Sequence, residues 1–348
     1  MFDLNKIDIL SLTYEELESI LIEIGEPKFR AKQVFSWLHE KQVTSFSDMT
    51  TLSLKLRECL NEKFYINRLQ VERRLASSID DTVKYLYKLS DGNYIETVCM
   101  SYNHGRSLCI STQVGCKMGC QFCASAIAGF IRNLTPSEML LQVYETQRNE
   151  NCKISSIVLM GIGEPLDNFD NVMRFLKLLS DSRGMQMSLR HVSLSTCGIV
   201  PKIKELAEYK LGLTLSVSLH CPYDEERSKI MPVNKKYPIS ELLDACRFYE
   251  EHTGRRVTFE YAVIENLNST SKAAQALAKL LKGMNCHVNL IPVNPVKERN
   301  YRTIKKTVIQ FQKELEQLGI NATIRRTLGS DIEAACGQLR RDALSKKA

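Results

Sequence analysis

Apolar residues follow different spacings in successive parts of the chain, and each spacing predicts a different kind of element. In residues 14–63 they recur every three or four positions, as on one face of a helix, and Gly25-Glu26-Pro27 interrupts the pattern between two helices. In residues 69–112 the runs are short and rich in β-formers, with Asp91-Gly92 and His104-Gly105 placed as hairpin turns. A small helical region followed by antiparallel strands is therefore predicted.

Beyond Thr112, strand-like apolar runs alternate with helical stretches, which predicts parallel β/α units. About six units are expected, and this number fits either a doubly wound sheet or a full or incomplete barrel. In both architectures ligands collect at the carboxyl ends of the strands. The predicted strands lie at residues 154–160, 191–196, 213–219, 257–264, 287–291 and 322–325.

Composition and charge narrow the class of protein. The 47 basic and 40 acidic residues give a net charge of +7, which suits a polyanionic partner without requiring one. No run approaches the roughly 18 apolar residues of a membrane span, and the first residues lack the plan of a signal peptide. We therefore expect a cytoplasmic protein with no membrane partner. In that compartment its 12 cysteines are expected to be thiols, metal ligands or catalytic sulfur.

Three cysteines lie close together in Cys116-Lys-Met-Gly-Cys120-Gln-Phe-Cys123, between a predicted strand and a predicted helix. A structural zinc site usually has four protein ligands, and the nearest histidine, His104, lies upstream across a strand. An iron–sulfur cube held by three thiolates instead leaves one iron open. The CxxxCxxC spacing, with the aromatic Phe122 before the last cysteine, resembles the radical S-adenosylmethionine (SAM) superfamily. This resemblance implies one [4Fe-4S] cluster on the three cysteines, and SAM that is cleaved to a radical at the open iron.

A downstream glycine turn resembles the superfamily segment that binds the amino group of SAM. It follows a predicted strand in Met160-Gly-Ile-Gly163-Glu164-Pro165, and the resemblance assigns Gly163 and Glu164 to SAM. Glycine at such a turn lets the backbone approach a ligand closely. Further candidate residues, all but one of them polar, stand at three later strand ends. These residues match SAM-contacting positions of the family described next, and they are Ser195, then Ser218, Leu219 and His220, and finally Asn294.

Four segments together resemble the RlmN family, over nearly the whole chain. RlmN enzymes methylate C2 of an adenine in the large ribosomal RNA and, in many cases, in transfer RNA. The resemblance implies methylation of adenosine 2503 in 23S ribosomal RNA and of adenosine 37 in transfer RNAs, with two SAM molecules per turnover. Radical chemistry is needed because the electron-poor C2 carbon cannot attack a methyl group as a nucleophile. The segments are Arg132-Asn-Leu-Thr-Pro-Ser-Glu138, Met160-Gly-Ile-Gly-Glu-Pro-Leu-Asp-Asn168, Met231-Pro-Val-Asn-Lys-Lys-Tyr-Pro238 and Asp331-Ile-Glu-Ala-Ala-Cys336-Gly-Gln-Leu339.

The family mechanism implies three further site residues. Cys336 corresponds to the methyl carrier, which becomes S-methylcysteine and then forms a transient protein–RNA crosslink. Cys109 corresponds to the cysteine that forms a transient disulfide with the carrier and so releases the RNA. Glu96 corresponds to the acceptor of the C2 proton, a task that a positioned carboxylate can perform. Two positions depart from the family pattern: Ala124-Ser-Ala replaces Ala-Thr-Gly, and Cys197 replaces a serine.

The resemblance also implies how the chain is divided and what it binds. We expect an α/β protein with an incomplete (β/α)6 radical SAM barrel, in which residues 1–66 form a helical RNA-recognition domain and residues 67–105 a β-rich lead-in. The barrel is expected at residues 106–330, and the tail that carries Cys336 at residues 331–348. The expected partners are 23S ribosomal RNA, transfer RNA and an external flavodoxin-like or ferredoxin-like reductant, with the protein a monomer. The target adenine is expected to be unpaired or flipped, because a stacked base is out of reach.

Two alternatives remain open from the sequence. Enzymes of the Cfr type methylate C8 of the same ribosomal adenine with the same cluster and two extra cysteines. A noncatalytic RNA-binding protein stabilised by zinc would explain the charge and the CxxxCxxC spacing, but would leave Cys109, Cys336 and the strand-end residues unused. The basic residues available for phosphate contacts are Lys28, Arg30 and Lys32, and the pairs Arg73-Arg74, Lys235-Lys236, Arg255-Arg256, Arg325-Arg326 and Arg340-Arg341.

Overall fold

The N-terminal part of the chain is helical, as its apolar spacing predicts. The computed structural model describes residues 6–127, 129–293 and 301–332. The first α-helix begins at a capping box, in which Glu16 N donates to Thr13 Oγ1 and Thr13 N donates to Glu16 Oε2. The elements of this region are β1 (Ile7–Asp8), α1 (Tyr14–Glu23), α2 (Phe29–His39), α3 (Leu54–Lys63) and β2 (Phe64–Tyr65), with β1 and β2 paired in parallel.

Four consecutive strands then form an antiparallel lead-in sheet. They are β3 (Gln70–Ala76), β4 (Val83–Lys88), β5 (Tyr94–Tyr102) and β6 (Gly105–Cys109), and each pairs with the next. Asp91 stabilises the turn between β4 and β5 by accepting a hydrogen bond from Asn93 N at 3.0 Å. His104 lies in the turn that joins β5 to β6. Both hairpin predictions are therefore confirmed.

A loop and a long helix connect the lead-in sheet to the barrel. The elements are β7 (Gln113–Val114), α4 (Ala124–Ile127), β8 (Arg132–Asn133) and α5 (Pro136–Glu150). Strands β7 and β8 pair antiparallel and close the base of the loop that contains the three clustered cysteines. Helix α5 begins at a second capping box, formed by Thr135 and Glu138, with Pro136 in its first turn.

The rest of the described chain alternates between strand and helix. Its elements are β9 (Ile154–Leu159), α6 (Phe169–Ser180), β10 (Val192–Thr196), α7 (Val200–Glu208), β11 (Thr214–Ser218), α8 (Asp224–Ile230), α9 (Ile239–Thr253), β12 (Val257–Val263), α10 (Ser271–Leu281), β13 (Cys286–Pro292), α11 (Lys305–Gln317) and β14 (Ala322–Ile324). Among all the helices of the described residues, the longest are α5 and α9, with 15 residues each. None of the helices in the described ranges is long and apolar enough to cross a bilayer.

The order of the strands shows that the sheet is an incomplete barrel. From one edge to the other it runs β14-β13-β12-β11-β10-β9-β6-β5-β4-β3 in the described residues, and all pairs from β6 to β14 are parallel. A doubly wound sheet reverses its strand order at a switch point, whereas these parallel strands follow one another in chain order. Six β/α units and a short seventh strand result, and β14 does not pair with β3. The predicted partial barrel is confirmed.

The helical region and the barrel share one apolar core. Phe35 of α2 and Tyr144 of α5 belong to the same buried cluster. The fully buried His39 contacts the Tyr144 hydroxyl through Nδ1 at 2.9 Å. Asp8 accepts a hydrogen bond from the Ser137 hydroxyl at the start of α5, and Arg174 of α6 forms an ion pair with Glu16. The helices are therefore fixed against the outer face of the barrel.

We expect His39 to make the stability of the protein depend on pH. Burial lowers the pKa of His39 from 6.5 to about 4. The negative charge of Asp181 acts in the opposite direction and raises this pKa, but its effect is smaller. Because the unfolded chain binds the proton at a higher pH than the folded chain does, stability is complete above pH 6.5 and is lost as the pH falls towards 4. The expected loss across this window is roughly 2–3 kcal/mol.

Urea unfolding of the wild type and of His39→Gln between about pH 7 and about pH 4 tests this expectation. The free energy of unfolding of the wild type minus that of His39→Gln should decrease towards acid pH by roughly 2–3 kcal/mol. His252→Gln, at an exposed position in the last turn of α9, is the matched control. A stability difference between wild type and His39→Gln that stays constant with pH would show that the burial of His39 has no such effect.

Candidate active site

The carboxyl ends of the parallel strands meet around one cleft. It encloses about 290 Å³, close to the lower bound of about 300 Å³ for small-molecule sites. Much of its wall is apolar and includes Met118, Phe122, Met160 and Met231. All three clustered cysteines line the cleft, together with polar residues from successive strand ends. One cleft therefore collects most of the residues that the sequence assigns to a common site.

The cysteine loop occupies one side of this cleft. Cys123 N donates to Cys120 O at 3.2 Å, which folds the second half of the motif into a turn. Gln121 N donates to Ile230 O at 2.9 Å and attaches the loop to the end of α8. The backbone of the loop is thus fixed by these hydrogen bonds, while Cys116, Cys120 and Cys123 line the cleft.

The three thiols fit an iron–sulfur cluster. Burial raises the pKa of Cys116 to about 12 and also raises that of Cys120, and neighbouring cysteine charges add to both shifts. Thiolates are stable in such surroundings when a metal supplies positive charge. In the described residues, no three His, Cys, Asp or Glu side chains are arranged to hold a single metal ion. A cube that takes one thiolate on each of three irons does not require that arrangement.

The glycine turn lies against the start of the cysteine loop. Gly161 N donates to Ile110 O at 3.0 Å, and a Cβ on Gly161 would lie 2.5 Å from that same oxygen. Gly163 has a φ of +115°, and its Cβ would lie 2.7 Å from the Gln113 Cβ. Both positions therefore require glycine, because a side chain would separate the turn from the loop.

Glu164 is held in the cleft wall by backbone amides. Its Oε2 accepts from Cys197 N at 2.7 Å, and its Oε1 accepts from Leu166 N at 3.0 Å. Burial raises the pKa of Glu164, and these hydrogen bonds oppose the rise. Each carboxylate oxygen has a second acceptor position. The side chain can therefore bind the amino group of a ligand without losing its own support.

The predicted strand-end residues are brought together only in part. Ser195 at β10, Ser218 at β11 and His220 line the cleft. His220 Nδ1 accepts from Ala262 N at 2.9 Å, so that its proton lies on Nε2. Burial lowers the pKa of His220 to about 3, and the charge of Arg227 adds to this effect, so the ring is neutral. Leu219 is fully buried and is not among the lining residues, and Asn294 lies outside the described residues.

Two charged residues of the cleft wall were not assigned to it from the sequence. Glu260 of β12 is buried, and its Oε2 accepts from Asn289 Nδ2 at 2.9 Å. Burial raises the pKa of Glu260, against the opposing charge of Arg325. A carboxylate inside the otherwise largely apolar β12 is a signal that could have identified Glu260. Arg325 is part of the basic pair Arg325-Arg326, and nothing in that pair distinguishes a residue of the cleft from a surface residue.

Cys109 and Glu96 lie on the lead-in sheet and are not among the residues that line the cleft. Cys109 is buried beside Val98 and Met160, and the latter does line the cleft. Glu96 shares a face of β5 with Val98, because alternate residues of a strand point the same way. The Glu96 carboxylate is 3.0 Å from Lys84 Nζ, and both side chains are almost completely buried. This face therefore carries a buried ion pair next to the Cys109 cluster.

The segment after β14 reaches the lead-in sheet. Leu328 packs in the apolar cluster that contains Cys109. Asp331 accepts hydrogen bonds from Ser77 Oγ and Ser78 N, both at 2.7 Å, in the turn between β3 and β4. Cys336 lies outside the described residues, four positions beyond Ile332.

Comparison with known proteins assigns the chain to a family. Residues 7–66 match the ribosomal RNA large subunit methyltransferase N-terminal domain, and residues 110–274 match the radical SAM superfamily. A Lachnospira eligens protein named probable dual-specificity RNA methyltransferase RlmN is 52% identical over 334 residues, which cover 96% of this chain and 95% of the relative. An Alkaliphilus oremlandii protein of the same name is 53% identical over 342 residues, covering 98% and 99%. The chain belongs to the RlmN family.

The fold of this RlmN-family chain matches a solved structure over nearly its full length. A crystal structure of a radical SAM methyltransferase from Sphaerobacter thermophilus has a TM-score of 0.91 and 41% identity, covering 95% of this chain and 98% of that one. The fold is therefore the radical SAM fold with an N-terminal helical region. Membership of this superfamily implies a [4Fe-4S] cluster and SAM as cofactors, and the thiols and polar strand ends of the cleft fit both.

We expect Gly163→Ala to destabilise the protein more than Gly254→Ala. Both glycines have positive φ, which costs an L-residue about 1–2 kcal/mol. An added Cβ meets nothing within 4 Å at Gly254, whereas at Gly163 it meets Gln113. The clash should add about 1–3 kcal/mol, typical of overpacking. Urea unfolding of the two variants measures the difference, and equal losses would show that the close approach at Gly163 is relieved without cost.

Proposed function

We propose that this chain is a radical SAM methyltransferase that methylates C2 of adenosine 2503 in 23S ribosomal RNA and C2 of adenosine 37 in transfer RNAs. The observation that carries the proposal is the single cleft that combines the three thiols with polar strand ends. The full-length relatives named dual-specificity RNA methyltransferase support the choice of substrate. The enzyme acts in the cytoplasm as a monomer and takes electrons from a flavodoxin-like or ferredoxin-like protein.

The residues of the cleft divide into two binding sets. Cys116, Cys120 and Cys123 hold the cluster, and Gly163 and Glu164 bind the SAM amino group. When bound, the cluster and two SAM molecules per turnover supply the methyl group and the one-electron chemistry. The remaining SAM contacts come from Ser195, Ser218 and His220, which line the cleft, and from Asn294. The fully buried Leu219 contributes only by holding Ser218 and His220 in place. The apolar part of the wall limits access of water to these groups.

The anchored segment before Cys336 supports its role as methyl carrier. Asp331 is held by Ser77 and Ser78, and Leu328 packs in the cluster of Cys109. Four residues span at most about 14 Å when extended. The chain length alone therefore limits the distance between Cys336 and Ile332, and the described residues just before it, Leu328 and Asp331, contact the Cys109 cluster and the lead-in sheet. In this proposal the Cys336 thiolate takes the methyl group from SAM and is later bonded to the RNA through a methylene.

Cys109 and Glu96 release the product in this proposal. The Glu96 carboxylate accepts the C2 proton. The Cys109 thiolate then attacks the Cys336 sulfur, and the disulfide forms as the bond between that sulfur and the RNA methylene breaks. The electron pair of the broken bond stays with the RNA, the methylene takes up a proton to become the methyl group, and the external reductant returns the disulfide to two thiols. The buried ion pair with Lys84 supports the assignment of Glu96, because it holds the carboxylate in one orientation on the Cys109 side of the sheet. Replacing a buried ion pair by apolar residues is often neutral or stabilising, so stability alone does not explain the pair.

The test is product mapping after anaerobic reconstitution with iron and sulfide. With SAM, a reductant and unmodified ribosomal or transfer RNA, we expect 2-methyladenosine at the two stated positions, identified by nuclease digestion and mass spectrometry. Formation of 8-methyladenosine would identify a Cfr-type enzyme instead. Zinc without iron or sulfide in anaerobically purified protein would favour the noncatalytic RNA-binding alternative.

Cys336→Ala is expected to abolish methyl loading of the protein while leaving iron and sulfide content unchanged. The reason is that its sulfur is the methyl acceptor and is not a cluster ligand. Transfer of label from methyl-labelled SAM to the protein is the measurement, and Cys59→Ala in α3 is the control that should load normally. RNA methylation by Cys336→Ala at the wild-type rate would remove the carrier role.

Glu96→Gln is expected to trap the protein–RNA crosslink, with release at least about 100-fold slower, the typical contribution of a general base. The substitution also leaves Lys84 without its carboxylate partner, which costs about 3–5 kcal/mol for a broken buried pair. The double variant Lys84→Met, Glu96→Gln should recover most of that stability and still trap the crosslink. Denaturing gels quantify the crosslink, and rapid release by the stable double variant would contradict the assignment.

A further inference from the structure

Arg227 is a fully buried arginine in α8, and it lies behind the wall of the cleft. Its side chain has no exposed surface and is among the largest fully buried side chains of the protein. Its Nη2 donates to Ser218 O at 2.9 Å and to Cys197 O at 3.0 Å, and its Nε donates to Leu219 O at 3.0 Å. The guanidinium therefore connects the end of β11 to the residues that follow β10.

The hydrogen-bond partners of Arg227 are neutral. The fourth bond runs from Nη1 to Asn234 Oδ1 at 2.6 Å. Asp224 is reached only indirectly, because its Oδ1 accepts from Asn234 Nδ2 at 2.9 Å. Among the described residues, no carboxylate lies within ion-pair distance of the guanidinium. A buried cation without an anionic partner is costly, which points to an anion that belongs to the loaded site.

The groups nearest to Arg227 on the cleft side are those of the cofactor site. Cys197 and Ser218 line the cleft together with Cys120, and Cys197 packs in the apolar cluster that includes Cys120. Because Arg227 donates to Cys197 O and Cys197 packs in the apolar cluster that includes Cys120, one residue separates the guanidinium from a cluster ligand.

We propose that Arg227 is the fixed positive charge that balances the thiolate-bound cluster and favours its one-electron reduction, while it holds the strand ends around SAM. The inference rests on the proposed function, because it requires the cluster. Three thiolates give the site a net negative charge, and reduction adds one electron without adding a proton. A buried cation therefore stabilises the reduced state more than the oxidised state, as net charge is one of the factors that determine cluster potentials.

The experiment measures the cluster rather than methylation. Wild type, Arg227→Gln, Arg227→Lys and the control Arg247→Gln are reconstituted anaerobically. Arg247 is a half-buried arginine of α9 whose ion-pair partner is Asp244. Iron and sulfide are determined, and the midpoint potential is measured by a redox titration followed by electron paramagnetic resonance, without SAM or RNA. We expect the equilibrium constant for reduction of Arg227→Gln to be about tenfold lower, which is a potential about 59 mV more negative. Arg227→Lys and Arg247→Gln should keep the wild-type potential.

Two values of the midpoint potential would overturn the proposal. One is a wild-type potential in Arg227→Gln with full iron and sulfide content. The other is a potential in Arg227→Lys as negative as that of Arg227→Gln, because lysine keeps the charge. If Arg227→Gln does not retain the cluster, Arg227→Lys decides the question: a cluster with the wild-type potential supports the charge role, and loss of the cluster from both variants contradicts it. If the wild type methylates RNA and the cluster of Arg227→Gln has the wild-type potential, the proposed function stands and only the role of Arg227 is refuted.

Discussion

The contact between Gly161 and the backbone of Ile110 sets the distance between the cysteine loop and the strand ends. Gly161 N donates to Ile110 O, and Thr112 N and Gln113 N both donate to Ile162 O. These hydrogen bonds extend the pairing of β6 with β9 into the loop that leads to the cysteines. A side chain at Gly161 would push that loop away from the turn that carries Glu164. The geometry of the two proposed binding sets therefore depends on an approach that only glycine permits.

The buried charged side chains of the cleft wall and of the lead-in sheet are stabilised in different ways. Glu164 is held by backbone amides, Glu96 by the ammonium of Lys84, and Arg227 by carbonyl oxygens and Asn234. His220 needs no such partner, because burial lowers its pKa to about 3 and keeps the ring neutral. The cleft is thus a site of low polarity with a few oriented groups, in which electrostatic interactions with a charged ligand are stronger than they would be in water.

Much of the fold could be predicted because alternating strands and helices are compatible with few topologies. The choice of a barrel required the strand order, since periodicity is the same in a doubly wound sheet. Residues at strand ends could be predicted because parallel strands bring their carboxyl ends to one edge. Lys84 and Arg227 could not be recognised in the same way, because one sequence does not distinguish a buried charged residue from a solvated one. Their burial depends on contacts between residues far apart in the chain.

An incomplete barrel has two free edges, and a strand from another chain could in principle extend either of them. Strand β3 forms one edge and carries Glu72, Arg73 and Arg74, with an irregularity in its pairing between Val71 and Arg73. Strand β14, at the other edge, has only three residues. Charged side chains, a bulge and short length are the features by which natural sheets resist edge-to-edge aggregation. In the described residues, both edges of the open sheet therefore carry features that oppose polymerisation of the chain through its sheet.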